Sequence, residues 1–289
     1  MELQAAHFEW DSFFRSISGP RPRALLLDYD GTLAPFQVER GRAVLPPEIR
    51  DALQEIIGTG RTRLVLISGR ALRDLIPLLA LDPLPELWGS HGWERRLPDG
   101  RYLSPELEPA VADALETARR RVETSGLAAL CELKPTGLAV HWRGQPPNVV
   151  AEMRAAASDA WKSLARQPGL ALHEFDGGLE LRAAGRDKGY AVRCILDELP
   201  AEALVVYAGD DVTDEDAFRA LAGRGVSILV RPEYRQTAAD IWLAAPREWL
   251  RFLNDWLTAE RSGTQDETVQ GRQRQNPERE RRAKAQPGA

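Results

Sequence analysis

Cysteine occurs at only two of 289 positions, Cys131 and Cys194, which excludes a disulfide scaffold. No apolar run approaches the ~20 residues of a membrane-spanning helix, so no membrane association is expected. The opening MELQAAHFEWDSFF has neither a basic start nor an apolar core, and no secretory signal is expected from it. A basic surplus is missing too. The 43 acidic and 38 basic side chains leave a net charge of −5, the wrong sign for a general nucleic-acid binder. Lysine is scarce, with Lys134, Lys162, Lys188 and Lys284 the whole set. What remains is an ordinary globular mix, 43% apolar and 28% charged. The length suits about two domains at ~150 residues each. The expectation is a soluble, cytoplasmic monomer.

Short apolar runs alternate with helical periodicity, which predicts an α/β fold with a Rossmann-like, mostly parallel sheet. Strands are expected at 24–27, 63–67, 203–207, 226–230 and 240–243, and helices at 47–57, 187–199 and 247–257. On the last helix Trp249 and Trp256 lie in the apolar stripe, which assigns them to the core. The middle of the chain differs. Helical stripes at 106–122 and 149–164 flank an alternating hairpin, 130–134 and 138–143, and two short strands follow at 170–174 and 179–182. Two helices over a small sheet make an α+β module inserted at 104–183. The main domain is then 1–103 with 184–260. From Arg261 to Ala289 large apolar residues almost vanish, and a disordered tail is expected.

Asp28 and Asp30 lie two residues apart after the first apolar strand, a spacing that predicts both on one side. Asp210, Asp211, Asp214 and Glu215 follow the strand ALVVYAG. Carboxyl ends of parallel strands are where α/β proteins bind ligands. If these strands are neighbours, four or five carboxylates converge and repel one another. A hard divalent cation relieves that conflict, and a small carboxylate set that keeps water and takes phosphate suits Mg²⁺. An EF-hand calcium loop is excluded, because 211–215 lacks its glycine and spacing. Ser68 and Gly69 follow a strand and offer a hydroxyl and backbone N–H groups to an anion. Lys188 opens a helix, and in so arginine-rich a chain a lysine there points to a need for a compact ammonium. These parts make a phosphoryl-transfer site. Asp28 would form an aspartyl-phosphate, and Asp30, among acidic neighbours, would protonate the leaving group and then activate water. Mg²⁺ and Lys188 would neutralise the phosphoryl oxygens.

LLLDYDGTL, LISGR, Lys188-Gly189 and GDDVTDE, in this order, resemble the four motifs of haloacid-dehalogenase-type phosphatases. More narrowly, GSHGWE (89–94), CELK (131–134), AVHWR (139–143) and ELR (180–182) resemble the trehalose-6-phosphate phosphatase family. The likeness runs from Arg23 to Leu257. It implies Asp28 as nucleophile and Asp30 as acid/base. It implies Mg²⁺ held by Asp28, the Asp30 carbonyl and Asp210, with Asp211 and Asp214 supporting from behind. Ser68, Gly69 and Lys188 would bind phosphate. The inserted module becomes a substrate-specificity cap, with Glu132, Lys134, His141, Arg143 and Glu180 on the sugar, joined by Arg70, His91 and Gly92 from the core. The implied substrate is trehalose 6-phosphate. Glucosylglycerol phosphate, sucrose phosphate and an inactive sugar-phosphate-binding regulator are the alternatives. Two positions depart from the family: Ala183 stands where proline is usual, and Trp93 replaces a small residue, where its bulk is expected near the sugar. Alternation within the cap strands agrees with a polar face carrying Glu132, Lys134, His141, Arg143, Glu180 and Arg182, and an apolar face that includes Cys131 and Leu133.

Overall fold

Residues 8–175 and 177–263 are described by the structure, a computed structural model. The predicted tail lies outside the described residues from 264 onward, while 261–263 still belong to a helix.

The central strands of the main sheet are short, rich in leucine, isoleucine and valine, and buried on both faces, as a parallel sheet between helical layers requires. In chain order the elements are α1 (Trp10–Ser18), β1 (Arg23–Leu27), α2 (Pro47–Thr59), β2 (Thr62–Ile67), α3 (Leu72–Leu79), β3 (Glu86–Gly89), β4 (Glu94–Arg96) and β5 (Tyr102–Leu103). After the inserted module come α6 (Lys188–Glu198), β10 (Leu204–Gly209), α7 (Glu215–Leu221), β11 (Val226–Val230), β12 (Ile241–Leu243) and α8 (247–263). The module itself holds α4 (Pro109–Thr124), β6 (Cys131–Lys134), β7 (Gly137–His141), α5 (Pro147–Trp161), β8 (Leu170–Phe175) and β9 (Gly178–Ala183).

The main sheet has eight strands in the order β12-β11-β10-β1-β2-β3-β4-β5. Neighbours from β12 to β3 pair parallel, and β4 and β5 pair antiparallel at one edge. Alternation divides its core in two. Leu25, Leu27, Leu66 and Val206 face one cluster with Phe13, Ile49, Leu53, Trp249 and Trp256, so α1, α2, α3 and α8 cover that side. Ala24, Leu26, Val65 and Tyr207 face the other with Val192, Ile195 and Phe218, under α6 and α7. Trp249 and Trp256 are fully buried core, as the stripe predicts. From β1 the chain steps outward through β2 to β3, whereas from β10 it steps the opposite way. The β1/β10 boundary is therefore the topological switch point, where a crevice opens at the strand ends.

The small sheet, order β6-β7-β9-β8, is wholly antiparallel. Leu138, Val140, Leu179 and Leu181 pack on Val111, Leu115, Met153 and Trp161 of α4 and α5. Its opposite face carries Glu180 and Arg182, both buried, because that face lies against the main domain. Leu133 corrects the expectation for the apolar face: it sits on edge strand β6 and is 48% exposed. No helix among the described residues is long and apolar enough to cross a membrane.

Candidate active site

The crevice at the switch point is a cavity of about 210 Å³ between the two sheets. Its core wall carries Asp28, Asp30, Gly69, Arg70, His91, Lys188 and Asp211, and its cap wall Lys134, His141, Arg143 and Glu180. Segments from across the chain thus meet because strand ends and loop tips of two sheets face each other.

Lys188, at the start of α6, is buried and donates to Asp28 Oδ1 at 2.6 Å and Asp214 Oδ1 at 2.7 Å. Burial alone would push its ammonium down, but Asp214 and Asp28 outweigh that and hold it well above its ordinary range. Asp28 Oδ2 receives a hydrogen bond from Thr32 Oγ1 at 3.2 Å. Burial, reinforced by Asp214 and Asp30 and opposed by Lys188, pushes the Asp28 carboxyl up to about 7.

Oxygens of Asp28, Asp210 and Asp214 lie within 4.8 Å of one another, all buried. Asp214 is saturated. Its Oδ1 accepts from Lys188 and Tyr207 Oη, and its Oδ2 from the backbone N–H groups of Asp210 (3.1 Å) and Asp211 (2.9 Å). These bonds tie the 210–214 loop to Lys188 and Tyr207. Asp210 is the opposite case: among the described residues its carboxylate is hydrogen-bonded only by Thr32 Oγ1, at 3.4 Å. Burial, then Asp28 and Asp214, push its carboxyl well above the ordinary range. One ammonium thus faces three buried carboxylates, a hard-oxygen set short of positive charge. Gly31 allows this approach, since its φ is +88° and a Cβ there would lie 2.2 Å from Asp210 Oδ2.

Two expected members stand apart. β1 ends at Leu27, so Asp28 and Asp30 are past the strand and its alternation no longer governs them. Both Asp30 oxygens accept from Arg70, Nε to Oδ2 and Nη2 to Oδ1, each at 2.6 Å. The immediate neighbour of Asp30 is a guanidinium, not the acidic group expected. Glu215 points away as well, because Arg235, Thr237 Oγ1 and the Ala238 N–H occupy its carboxylate. Arg235 also donates to the Asp210 carbonyl at 3.3 Å and the Asp211 carbonyl at 2.7 Å, which staples the acidic loop to residues 235–238.

Ser68 is buried beside the cavity, its Oγ accepting from the Arg70 N–H at 3.1 Å. Gly69 leaves room for the His91 ring, whose Cε1 lies 2.6 Å from where a Cβ would stand. Ser90 and His91 are both left-handed, with φ of 47° and 55°. Such strain persists only where the surroundings enforce it. Here the Ser90 N–H bonds the Arg70 carbonyl at 2.7 Å, the His91 N–H bonds the Ser68 carbonyl at 3.0 Å, and His91 Nε2 meets Glu180 Oε2 at 3.1 Å. Burial, aided by Arg182, lowers His91 to about 3, so the ring is neutral and donates to Glu180. Gly92 does not line the cavity and packs on the Asp187 carbonyl.

In the cap, Lys134 Nζ meets Glu180 Oε1 at 2.5 Å. Glu132 Oε2 meets His141 Nε2 at 2.9 Å, lies 3.9 Å from Lys134 Nζ, and pairs with Arg40. Glu132 itself does not line the cavity. Arg143 stacks over Phe36 at 3.8 Å. Trp93 is not at the cavity either: it packs on the cap's apolar cluster, with Arg186 5.1 Å from its ring. The departure at Ala183 has a local reason, since its N–H donates to the Thr136 carbonyl at 2.8 Å, a bond proline lacks. Sequence reasoning missed Phe36, Gln37, Val38, Arg40 and Thr213 on the core side of the cavity, and Leu130, Gln145 and Phe175 on the cap side. None of these carries a local signature.

The family model described as Trehalose-phosphatase matches residues 26–244. The chain belongs to this family. A trehalose-phosphate phosphatase of Mycobacterium marinum is 32% identical over 246 residues, which is 81% of this chain and 60% of that protein. One from Mycobacterium tuberculosis is 32% identical over 247 residues, 81% and 61% of the two chains. The chain thus spans about 60% of the length of these relatives. The C-terminal domain of a Candida albicans trehalose-6-phosphate phosphatase shares the fold with a TM-score of 0.73 at 20% identity, covering 86% of this chain and 96% of that one. The mostly parallel α/β sheet with a separate small antiparallel sheet is thus a fold that this chain shares with that solved structure.

Proposed function

We propose that the protein hydrolyses trehalose 6-phosphate to trehalose and phosphate, with Asp28 as nucleophile and Mg²⁺ as cofactor. The observation that carries this reading is the cation-deficient trio Asp28, Asp210 and Asp214 around Lys188, of which Asp28 and Lys188 line the floor of a cavity roofed by the polar face of the small sheet. The floor is suited to a phosphate and the roof to hydroxyl groups, with Lys134, His141, Arg143 and Glu180 supplying donors and acceptors.

The donor set fits a hard divalent ion, because among the described residues buried Asp210 forms no ion pair, and Asp28 keeps one oxygen off Lys188. Asp28, Asp210 and the Asp30 carbonyl would hold it, and when bound it would neutralise charge on the phosphoryl oxygens. Asp28 Oδ attacks phosphorus and the bond to the sugar oxygen breaks, leaving phosphate on Asp28. Lys188 steadies the attacked carboxylate and the phosphoryl charge. Asp30 delivers a proton to the leaving alkoxide and then takes one from the water that releases phosphate. A carboxylate offers about four lone-pair sites, so the two-point Arg70 grip orients Asp30 and still leaves room for that proton. The small sheet acts as the cap that excludes water and reads the sugar.

The test is phosphate release from a panel of trehalose 6-phosphate, glucose 6-phosphate, sucrose phosphate and glucosylglycerol phosphate, with and without EDTA. Preference for trehalose 6-phosphate and loss of turnover in EDTA are expected. Comparable turnover of glucose 6-phosphate would defeat the disaccharide assignment, and full activity in EDTA would defeat the metal.

A further inference from the structure

Contacts that tie the small sheet and its loops to the main domain across the cavity include the His91–Glu180 pair at 3.1 Å, a hydrogen bond from Arg73 Nη2 to the Leu133 carbonyl at 3.1 Å, the Arg143 stack on Phe36 at 3.8 Å, and the Arg40–Glu132 ion pair. The last differs from the others in its connections. The Arg40 carbonyl accepts from Arg70 Nη1 at 3.1 Å, the same guanidinium that grips Asp30. Its side chain crosses to Glu132, whose Oε2 also holds His141 and stands beside Lys134. Arg40, His141 and Lys134 all line the cavity, and Glu132 behind them does not. Burial would push the Glu132 carboxyl up, yet Lys134, His141 and Arg40 together hold it down to about 2. Removing one of those partners leaves a buried anion undercompensated, and the remaining two must reorganise around it.

We propose that Arg40 is a specificity-determining positioning residue: through Glu132 it orients Lys134 and His141 toward the leaving group, without touching the reacting atoms. This rests on the sugar-phosphate reading above. A loop of the main domain thereby sets the geometry of the sugar-facing wall, and recognition is built from both domains rather than from the cap alone.

The test is a double-substitution cycle on the full chain, with kcat/KM measured on trehalose 6-phosphate and on the small aryl ester p-nitrophenyl phosphate. Arg40→Gln is expected to lower the ratio of the two values at least about tenfold, mainly through KM for the sugar phosphate. Adding Arg40→Gln to Glu132→Gln should cost little beyond Glu132→Gln alone, because Arg40 acts through that carboxylate. Arg40→Lys should restore part of the ratio, and it replaces the glutamine variant if circular dichroism finds that one unfolded. Equal losses on both esters, no loss on the sugar phosphate, or fully additive losses in the cycle overturn the proposal. If the wild-type protein prefers another sugar phosphate, the substrate reading fails on its own, and the cycle on that ester decides the role of Arg40.

Discussion

Replacing Asp28 by asparagine should stabilise the metal-free protein at neutral pH while abolishing its turnover. The sign follows from the burial of Asp28. Its carboxyl is pushed up to about 7 from an ordinary 3.8, first by burial and then by Asp214, against the pull of Lys188. Below pH 3.8 the group is protonated in folded and unfolded chains alike and contributes nothing. As pH rises, the unfolded chain releases the proton near 3.8 while the folded chain keeps it to about 7, so stability falls across that window. At about 1.4 kcal/mol per tenfold in proton affinity, the full loss at pH 8 is about 4 kcal/mol. Asparagine has the same shape, keeps an oxygen for Lys188 and carries no charge. Urea unfolding in EDTA should therefore find Asp28→Asn more stable by about 2–4 kcal/mol at pH 8, with the gap closing near pH 4. A divalent ion at 100 times its Kd returns about 2.7 kcal/mol to the wild type and narrows the gap. Equal stability of the two proteins at pH 8 in EDTA, or a gap that does not change between pH 4 and 8, would refute the reasoning.

Three further outcomes follow from the same geometry. Lys188→Met leaves Asp28 and Asp214 without their buried cation, and thermal or urea unfolding should register a loss of about 3–5 kcal/mol in EDTA, partly recovered with Mg²⁺. Arg235→Ala removes the staple on the Asp210 and Asp211 carbonyls, and Mn²⁺ affinity read by electron paramagnetic resonance should fall about tenfold with the melting temperature little changed. An unchanged Mn²⁺ titration would deny Arg235 that role. Gly31→Ala forces a side chain into a left-handed position against Asp210, so kcat should fall by about a hundredfold, checked by steady-state phosphate release.

The parts of this molecule that were legible in its sequence are those whose neighbours are close along the chain. Apolar runs buried on both faces mark β1, β2, β10 and β11, and the residues just past their ends, Asp28, Ser68 and Asp210, fall in one crevice because parallel strands all finish on the same side. The short α1 and the β3–β5 edge were not among the predicted elements; in the structure Phe13 packs α1 on α8, and Glu86 of β3 bonds Arg63 and Arg95. Asp30 and Glu215 were grouped by chemistry with nearby acids, and Glu132 with the sugar-facing residues of the small sheet, yet each is also held by an arginine from another segment: Arg70, Arg235 and Arg40. In a chain whose positive charge is almost wholly arginine, a two-point guanidinium grip is available wherever a loop brings one within reach, and such pairing leaves no local spacing to read. Lys188 is the exception that such a composition does expose, because a lone ammonium among arginines marks the place where a compact cation must sit between two carboxylates. The convergence of Asp28, Asp210 and Lys188 was therefore readable from rarity and position, whereas the walls of the cavity depend on contacts that only the folded chain brings together.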